Sequence, residues 1–529
     1  MKRKYIYLLI LPLLLFQCNT DEFLDRPPED QLAVDNFYQT DEQVLAATAP
    51  LYGWPWFDAN DKAWWAFGDG MGGNHWSNDG DMGEIFLFAV KANSARLNEM
   101  WNSLYRVVAH SNSVINNIPD KSSADVSEEV KAHAIAEARF MRAVAYFYLV
   151  RLWGPVTIIE NNEEAVSDFK LPRNFEEDVY RFIIMDLEYA MNTLPESSRS
   201  AGRVHKWSAE GMLAKVYLAK SGLGQSGSRH DEDLQKAKLH AKNVMESGLL
   251  LMDDYGDLFK TEFENNSESL FAFQWVSCLD WGTQNTNQAY WAKDNTITGV
   301  GDGWGGYIGP SIDLQNQYER GDVRKYYTIM QDGDFYPNLN AENGGFLFSQ
   351  EPGGEMGASA CHSAVKKYVV GTPEDNSGQV CFMSTAINTY VQRLADVYLI
   401  YAEATLGNNA STTDASALEA VNALRRRAKL EEKASLTLDD IYHERRVEFA
   451  YEADHWYDLI RLHYWNPQKA IDIVSNQERG TLSWDDDGET QVNSLKVSVD
   501  DGDFMLPIPE AEVSKNPRFL DDPESYEFL

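Results

Sequence analysis

Trp281, Trp291 and Trp304, with Tyr290 and Tyr307, fall within 27 residues that also hold Gln284, Asn285, Asn287, Gln288, Asp294 and Asn295. A pyranose has an apolar face of C–H groups and a rim of hydroxyls. It stacks on exposed indoles while amides and carboxylates take the hydroxyls, so this mixture predicts a glycan-binding surface. The competing role for any one ring is the hydrophobic core, because Trp is highly buried on average. Gly282 beside Trp281, and the glycines of Gly301-Asp-Gly303-Trp-Gly-Gly306 around Trp304, favour those two rings. Trp76, beside Asn74, His75, Ser77 and Asn78, ranks next. The candidate glycan-binding residues are therefore Trp76, Trp281, Trp304, Trp291, Tyr307, Asn285 and Asn287, whereas Trp54 to Trp65, an apolar run with Pro55, is assigned to packing.

Other chemistries fit less well. Glu444, Glu448 and Glu452 recur every four residues, and Glu452-x-x-His455 copies half of a di-iron bundle motif. No second Glu-x-x-His exists among the ten histidines. The stripe reads instead as an ion-pair network with Arg445, Arg446, Arg425, Arg426 or Arg427. The G-x-G-x-x-G at Gly301 follows no strand-like run and precedes Pro310, which excludes a dinucleotide fingerprint. Ser226 and Ser228 near His230 lack a nucleophile elbow, and Asp485-Asp486-Asp487 and Asp79-Gly80-Asp81 miss the EF-hand spacing. In a chain this acidic, carboxylate pairs carry no information about glycosidase chemistry. No catalytic residue, metal or cofactor is assigned.

These rings need a scaffold, and the scaffold reads as helical. Helical periodicity covers about 91–250 and 386–463, in short pairs. In Glu137–Leu152 the residues Ala138, Met141, Ala145, Tyr148, Leu149 and Leu152 share one face, and Gly154-Pro155 ends the helix. Further helices span Phe175–Leu194, Ser208–Lys220 and Leu234–Glu246, each closed by Pro or Gly. The fold class expected is mostly α: stacked tetratricopeptide-like helical hairpins with a loop-rich, minor-β ligand-binding face formed by about 52–88 and 255–385.

With 46 Lys+Arg against 82 Asp+Glu in 529 residues, the net charge of −36 excludes nucleic acid as a partner by repulsion. Lys2, Arg3 and Lys4 precede a twelve-residue apolar run, Tyr5–Phe16, too short to span a bilayer and suited to an export signal. Leu15-Phe16-Gln17-Cys18 resembles a bacterial lipobox, with Gln17 in place of the usual small residue. Cys18 is thus the expected lipidation site, which divides the chain into a signal peptide (1–17), a lipidated tether (18–30) and one domain (31–529). Cys278, Cys361 and Cys381 remain, an odd number compatible with one bridge, for which Cys361 to Cys381 is a candidate.

Phe23-Leu-Asp-Arg-Pro-Pro28 with Asp35-Asn-Phe-Tyr38 resembles the N-terminal signature of the SusD/RagB family of outer-membrane nutrient-binding lipoproteins. Glu137–Ala143 leading to Trp153-Gly-Pro155, Asp254–Phe259, Arg393–Ala404, Glu444–Ala450 with Tyr457–Arg461, and Leu506-Pro-Ile-Pro-Glu510 to Asn516-Pro517 agree in order. Asp521-Asp522-Pro523 departs from the Asn-Pro-Gly-Tyr common at the family's end. The resemblance implies a non-catalytic glycan-binding lipoprotein on the outer face of the outer membrane, held by Cys18. It also implies a SusC-like TonB-dependent transporter as partner. A flat aromatic row would suit an extended β-linked plant glucan or xyloglucan, and a curved one would suit starch. The RagB-type alternative is a peptide-binding uptake lipoprotein, which would rely on backbone-pairing edges or charged pockets.

Overall fold

The computed structural model describes residues 37–77, 79–306, 308–350 and 361–528. The export signal, Cys18, the tether and Tyr307 lie outside the described residues.

The helices that build the scaffold are α1 (Ala95–Lys121), α2 (Glu128–Trp153), α3 (Glu176–Thr193), α4 (Lys206–Lys220) and α5 (Asp231–Met245), followed after a long interval by α6 (Leu394–Leu406), α7 (Ala415–Arg427), α8 (Leu438–Phe449) and α9 (His455–His463). Each of α1 to α6 packs on the next, α6 also packs on α8, and α5 meets α6 across nearly 150 intervening residues. The stack is therefore continuous although the chain is not, and the loop-rich segment leaves it and returns to its next place. Ser127 starts α2 by accepting the Val130 N–H, and Gly154, at φ 65°, ends it in a conformation that favours glycine. The sequence gives α2 one apolar face, but from Phe140 to Trp153 every residue is buried. The reason is that α1 and α3 flank it while Trp64 and Tyr457 pack against Tyr148 from a third side.

Residues 52–77 and 79–88 are not an open loop. They form short 3-10 and π turns, including Ala59–Ala63 and Ala66–Met71, and they bury Trp56, Trp64 and Trp65. A π turn frees backbone carbonyls, and here the buried Arg479 takes those of Gly70 (3.2 Å) and Met71 (2.6 Å).

The three glutamates form an ion-pair network, as expected, but not on one helix face: α8 ends at Phe449, Glu452 lies in the turn beyond it, and most of the partners come from elsewhere. Glu448 receives Arg393, Arg324 and Arg427 at 2.7, 3.0 and 2.6 Å. Glu444 takes Arg324 and Arg425, and Glu452 takes Arg393 and Lys367. Of the five arginines proposed from sequence, Arg425 and Arg427 serve the stripe. Arg445 turns to Asp396, Asp454 and Asp458, Arg446 to Asp313, and Arg426 to surface glutamates. Burial alone would raise the Glu448 pKa, yet Arg427, Arg393 and Arg324 hold it well below the usual carboxylate range. His455 is buried, and burial lowers its pKa far enough to keep it neutral. Because Arg324, Lys367 and Arg393 belong to the loop-rich stretch and its return strand, the network fastens that half of the molecule to α8.

Candidate functional site

Short strands organise the loop-rich half: β1 (His75–Ser77) pairs with β3 (Ile308–Pro310), β2 (Ser269–Phe273) with β6 (Thr389–Arg393), and β4 (Val380–Cys381) with β5 (Ser384–Thr385) in a hairpin. Trp281 stands on the turn that follows β2. The carboxamide oxygen of buried Gln284 accepts the N–H groups of Gly282 (2.9 Å) and Thr283 (3.1 Å), and Val276 N–H reaches Thr283 O at 2.7 Å. Cys278 is disulfide-bonded to Cys381 of the β4–β5 hairpin, with 5.5 Å between their Cα atoms. The Cys361–Cys381 pairing considered from sequence is thus corrected, because Cys361 is buried in a cluster with Trp76, Phe86 and Ile312.

The Trp281 turn, fixed at both ends, leaves its indole 60% exposed, edge-on to Phe57 at 5.3 Å. A Cβ on Gly282, which has φ 104°, would lie 3.3 Å from Trp54 Cδ1. Trp54 therefore lies close behind the turn, and it is 45% exposed, with the Arg106 guanidinium 5.3 Å from its ring centroid. This corrects the assignment of Trp54 to packing, while Trp56, Trp64 and Trp65 are buried as expected.

Trp304 is half-buried, 5.8 Å from Tyr290 and 5.8 Å from Phe382. Its two glycine neighbours are required: a Cβ on Gly303 would sit 2.5 Å from Asp294 C, and one on Gly305 2.5 Å from Trp291 O. Phe382, at the tip of the β4–β5 hairpin, is 56% exposed, and Leu279 is exposed beside Cys278. Phe382 was missed from sequence because a lone Phe between Cys381 and Met383 gives no signal until the bridge partner is known. Trp54, Trp281, Trp304 and Phe382 are thus the rings available to solvent on this side. Polar groups border them: Tyr290 O–H donates to Asp61 (3.4 Å), and the Lys62 ammonium lies 4.7 Å from the Tyr290 centroid. Burial raises the Asp61 pKa, and burial pushes that of Glu99 up to about 7.

Four sequence candidates fall elsewhere. Trp291 is 1% exposed among Trp65, His75, Tyr368 and Tyr451, so no face of it is open to a ligand. Trp76, in β1 opposite Gly309, is also buried. Asn285 is fully buried and donates to Ile387 O (2.7 Å), while its oxygen accepts the Asn287 N–H (2.9 Å). Asn287 is buried too, its side-chain oxygen without a hydrogen-bond partner among the described residues. The amides that looked like hydroxyl ligands are committed to the interior, as polar groups beside tight turns must be. Among the described residues no three His, Cys, Asp or Glu side chains converge in a group fit to hold a metal.

A SusD-family model matches residues 255–523, and a model described as starch-binding associating with outer membrane matches residues 69–218. A SusD-like protein of Bacteroides ovatus is 40% identical across 100% of this chain and 99% of its own length. SusD-like protein P2 of Formosa agariphila is 25% identical across 99% of this chain and 100% of its own length. A crystal structure solved with xylogluco-oligosaccharide superposes with a TM-score of 0.84 at 39% identity, covering 92% of this chain and 99% of that one. A laminarin-binding SusD-like protein shares the fold, with a TM-score of 0.68 at 22% identity over 90% of this chain and 98% of its own.

Proposed function

The chain belongs to the SusD family, and from that premise we propose that it is a non-catalytic cell-surface protein that captures a glycan by stacking sugar rings on Trp281 and Trp304. Trp54 and Phe382 extend that surface. The observation that carries the reading is the exposure of large rings on turns fixed by Gln284, by a disulfide and by glycines. Ring faces are costly to leave in water unless a partner covers them. The glycan class proposed is xyloglucan, supported by the relative at 39% identity that was solved with xylogluco-oligosaccharide. Diacylated Cys18 would hold the protein on the outer face of the outer membrane, since two acyl chains bind a bilayer stably where one does not. A SusC-like TonB-dependent transporter would receive the captured sugar.

Calorimetric titration with xylogluco-oligosaccharide tests the site. Binding to the native chain, and its loss in a folded Trp281→Ala/Trp304→Ala variant, is the expected result; unchanged binding in that variant would remove these rings from the site. Release of a Cys18→Ala variant from membranes, and co-purification with a TonB-dependent transporter, test the anchor and the partner.

A further inference from the structure

A cavity of about 750 Å³ opens in the loop-rich half, and it shares no lining residue with the ring surface just described. Its size falls within the range of small-ligand sites. One wall is tyrosine: Tyr326 and Tyr336 stack at 4.6 Å and 21°, and Tyr336 O–H donates to Tyr326 O (3.1 Å). Tyr327 packs closely over Gly256, where a Cβ would come within 2.3 Å of its ring.

The floor carries an ammonium without an anion. Lys366 Nζ donates to Val369 O at 2.9 Å and lies 5.8 Å from the Tyr336 centroid. No carboxylate is ion-paired with it among the described residues, and an ammonium has three donors, of which one is used. Burial pushes its pKa down to about 8, and the neighbouring Lys260 charge adds to that shift. Lys260 itself is paired with Asp257 at 2.6 Å. None of the lining carboxylates is paired with Lys366 among the described residues: Asp375 accepts the N–H groups of Asn340, Ala341 and Thr372 (2.7, 2.9 and 2.9 Å), while Glu262, Glu342 and Glu374 are exposed.

We propose that this cavity is a second ligand site that takes a single uronic-acid residue carried on an otherwise neutral glycan, its carboxylate on the Lys366 ammonium and its ring against Tyr327. The ligand class follows from three features. An aromatic wall suits a sugar face, an unpaired ammonium in a sheltered position suits one carboxylate, and a net charge of −36 with an acidic rim repels a polyuronate. The proposal rests on the glycan reading of the family, but the site stands apart from Trp281 and Trp304, so the two can fail separately.

Saturation-transfer NMR on the mature chain, with D-glucuronate and D-glucose as probes, tests it. We expect transfer to glucuronate well above glucose, weakened about tenfold or more by Lys366→Met, as loss of a charge-assisted contact implies. We also expect it to be retained in Trp281→Ala/Trp304→Ala, the variant in which xylogluco-oligosaccharide binding is expected to be lost. Equal transfer to both sugars, indifference to Lys366→Met, or loss with the tryptophan pair would overturn the proposal. If Lys366→Met does not fold, Tyr327→Ala decides: a matching loss supports the site and an unchanged signal overturns it.

Discussion

The α8 network and the Trp281–Trp304 surface reverse the usual placement of charge and ring. At α8 the charges are inside: Glu448, Arg393 and Arg324 are essentially inaccessible and paired on every side. On the other surface the rings are outside, on turns whose polar groups are turned inward. Breaking a buried pair leaves an uncompensated charge, so the network is costly to disturb. Removing an exposed ring leaves nothing unsatisfied. The contrast separates a joint that holds the loop-rich half to the helical stack from a surface whose residues are free to serve a ligand.

The variant expected to break that contrast most severely is Arg393→Ala, which strips Glu268, Glu448 and Glu452 of a shared partner. It should cost about 3–5 kcal/mol in denaturant unfolding. A cost below about 1 kcal/mol would mean the network is not the joint. Next comes Cys278→Ala, which opens a bridge spanning 103 residues of sequence. A loss of about 2–4 kcal/mol in stability is expected, together with weaker glycan binding, because the bridge fixes the turns that carry Trp281 and Phe382.

A third prediction concerns pH. Burial pushes the Glu264 pKa up from 4.5 to about 8, with its carboxyl accepting the Asn388 N–H at 2.8 Å. The folded chain therefore binds this proton more tightly than the unfolded chain, and stability falls as pH rises from about 4.5 to 8. Glu264→Gln should remove that contribution, at most about 1.4 kcal/mol per pH unit, seen as a flatter plot of stability against pH. An unchanged plot would show that Glu264 is not the group. The smallest effect on stability belongs to Trp281→Ala, within about 0.5 kcal/mol as for other surface positions, and adding Trp304→Ala should cost more, about 1 kcal/mol, because that ring is half-buried against the core. Affinity for xylogluco-oligosaccharide should nevertheless fall at least about tenfold.

Much of the scaffold was legible because helix signals are local. Gly154, Pro195 and Gly222 mark ends that the structure places within a residue or two. The α8 stripe was legible as charge pairing, but Arg324, Lys367 and Arg393 were not, since they are distant in sequence. Trp281 and Trp304 were singled out through their glycines, whose role is steric and local, and the structure leaves the first exposed and the second half-buried. Trp291 and Trp76 were misplaced because density of aromatics in sequence does not distinguish a surface from the core beneath it. Asn285 and Asn287 were misread because an amide that binds a sugar and one that fastens a turn are the same residue type. Trp54 and Phe382 came into view only with the disulfide and the contacts around Gly282.

The most direct measurement is affinity electrophoresis of the chain beginning after Cys18 through gels containing plant, fungal and host polysaccharides. The account predicts retardation in xyloglucan without shortening of the polymer, and free migration of the folded Trp281→Ala/Trp304→Ala variant in the same gel. Free migration of the native chain in every gel, or equal retardation of the variant, would contradict it.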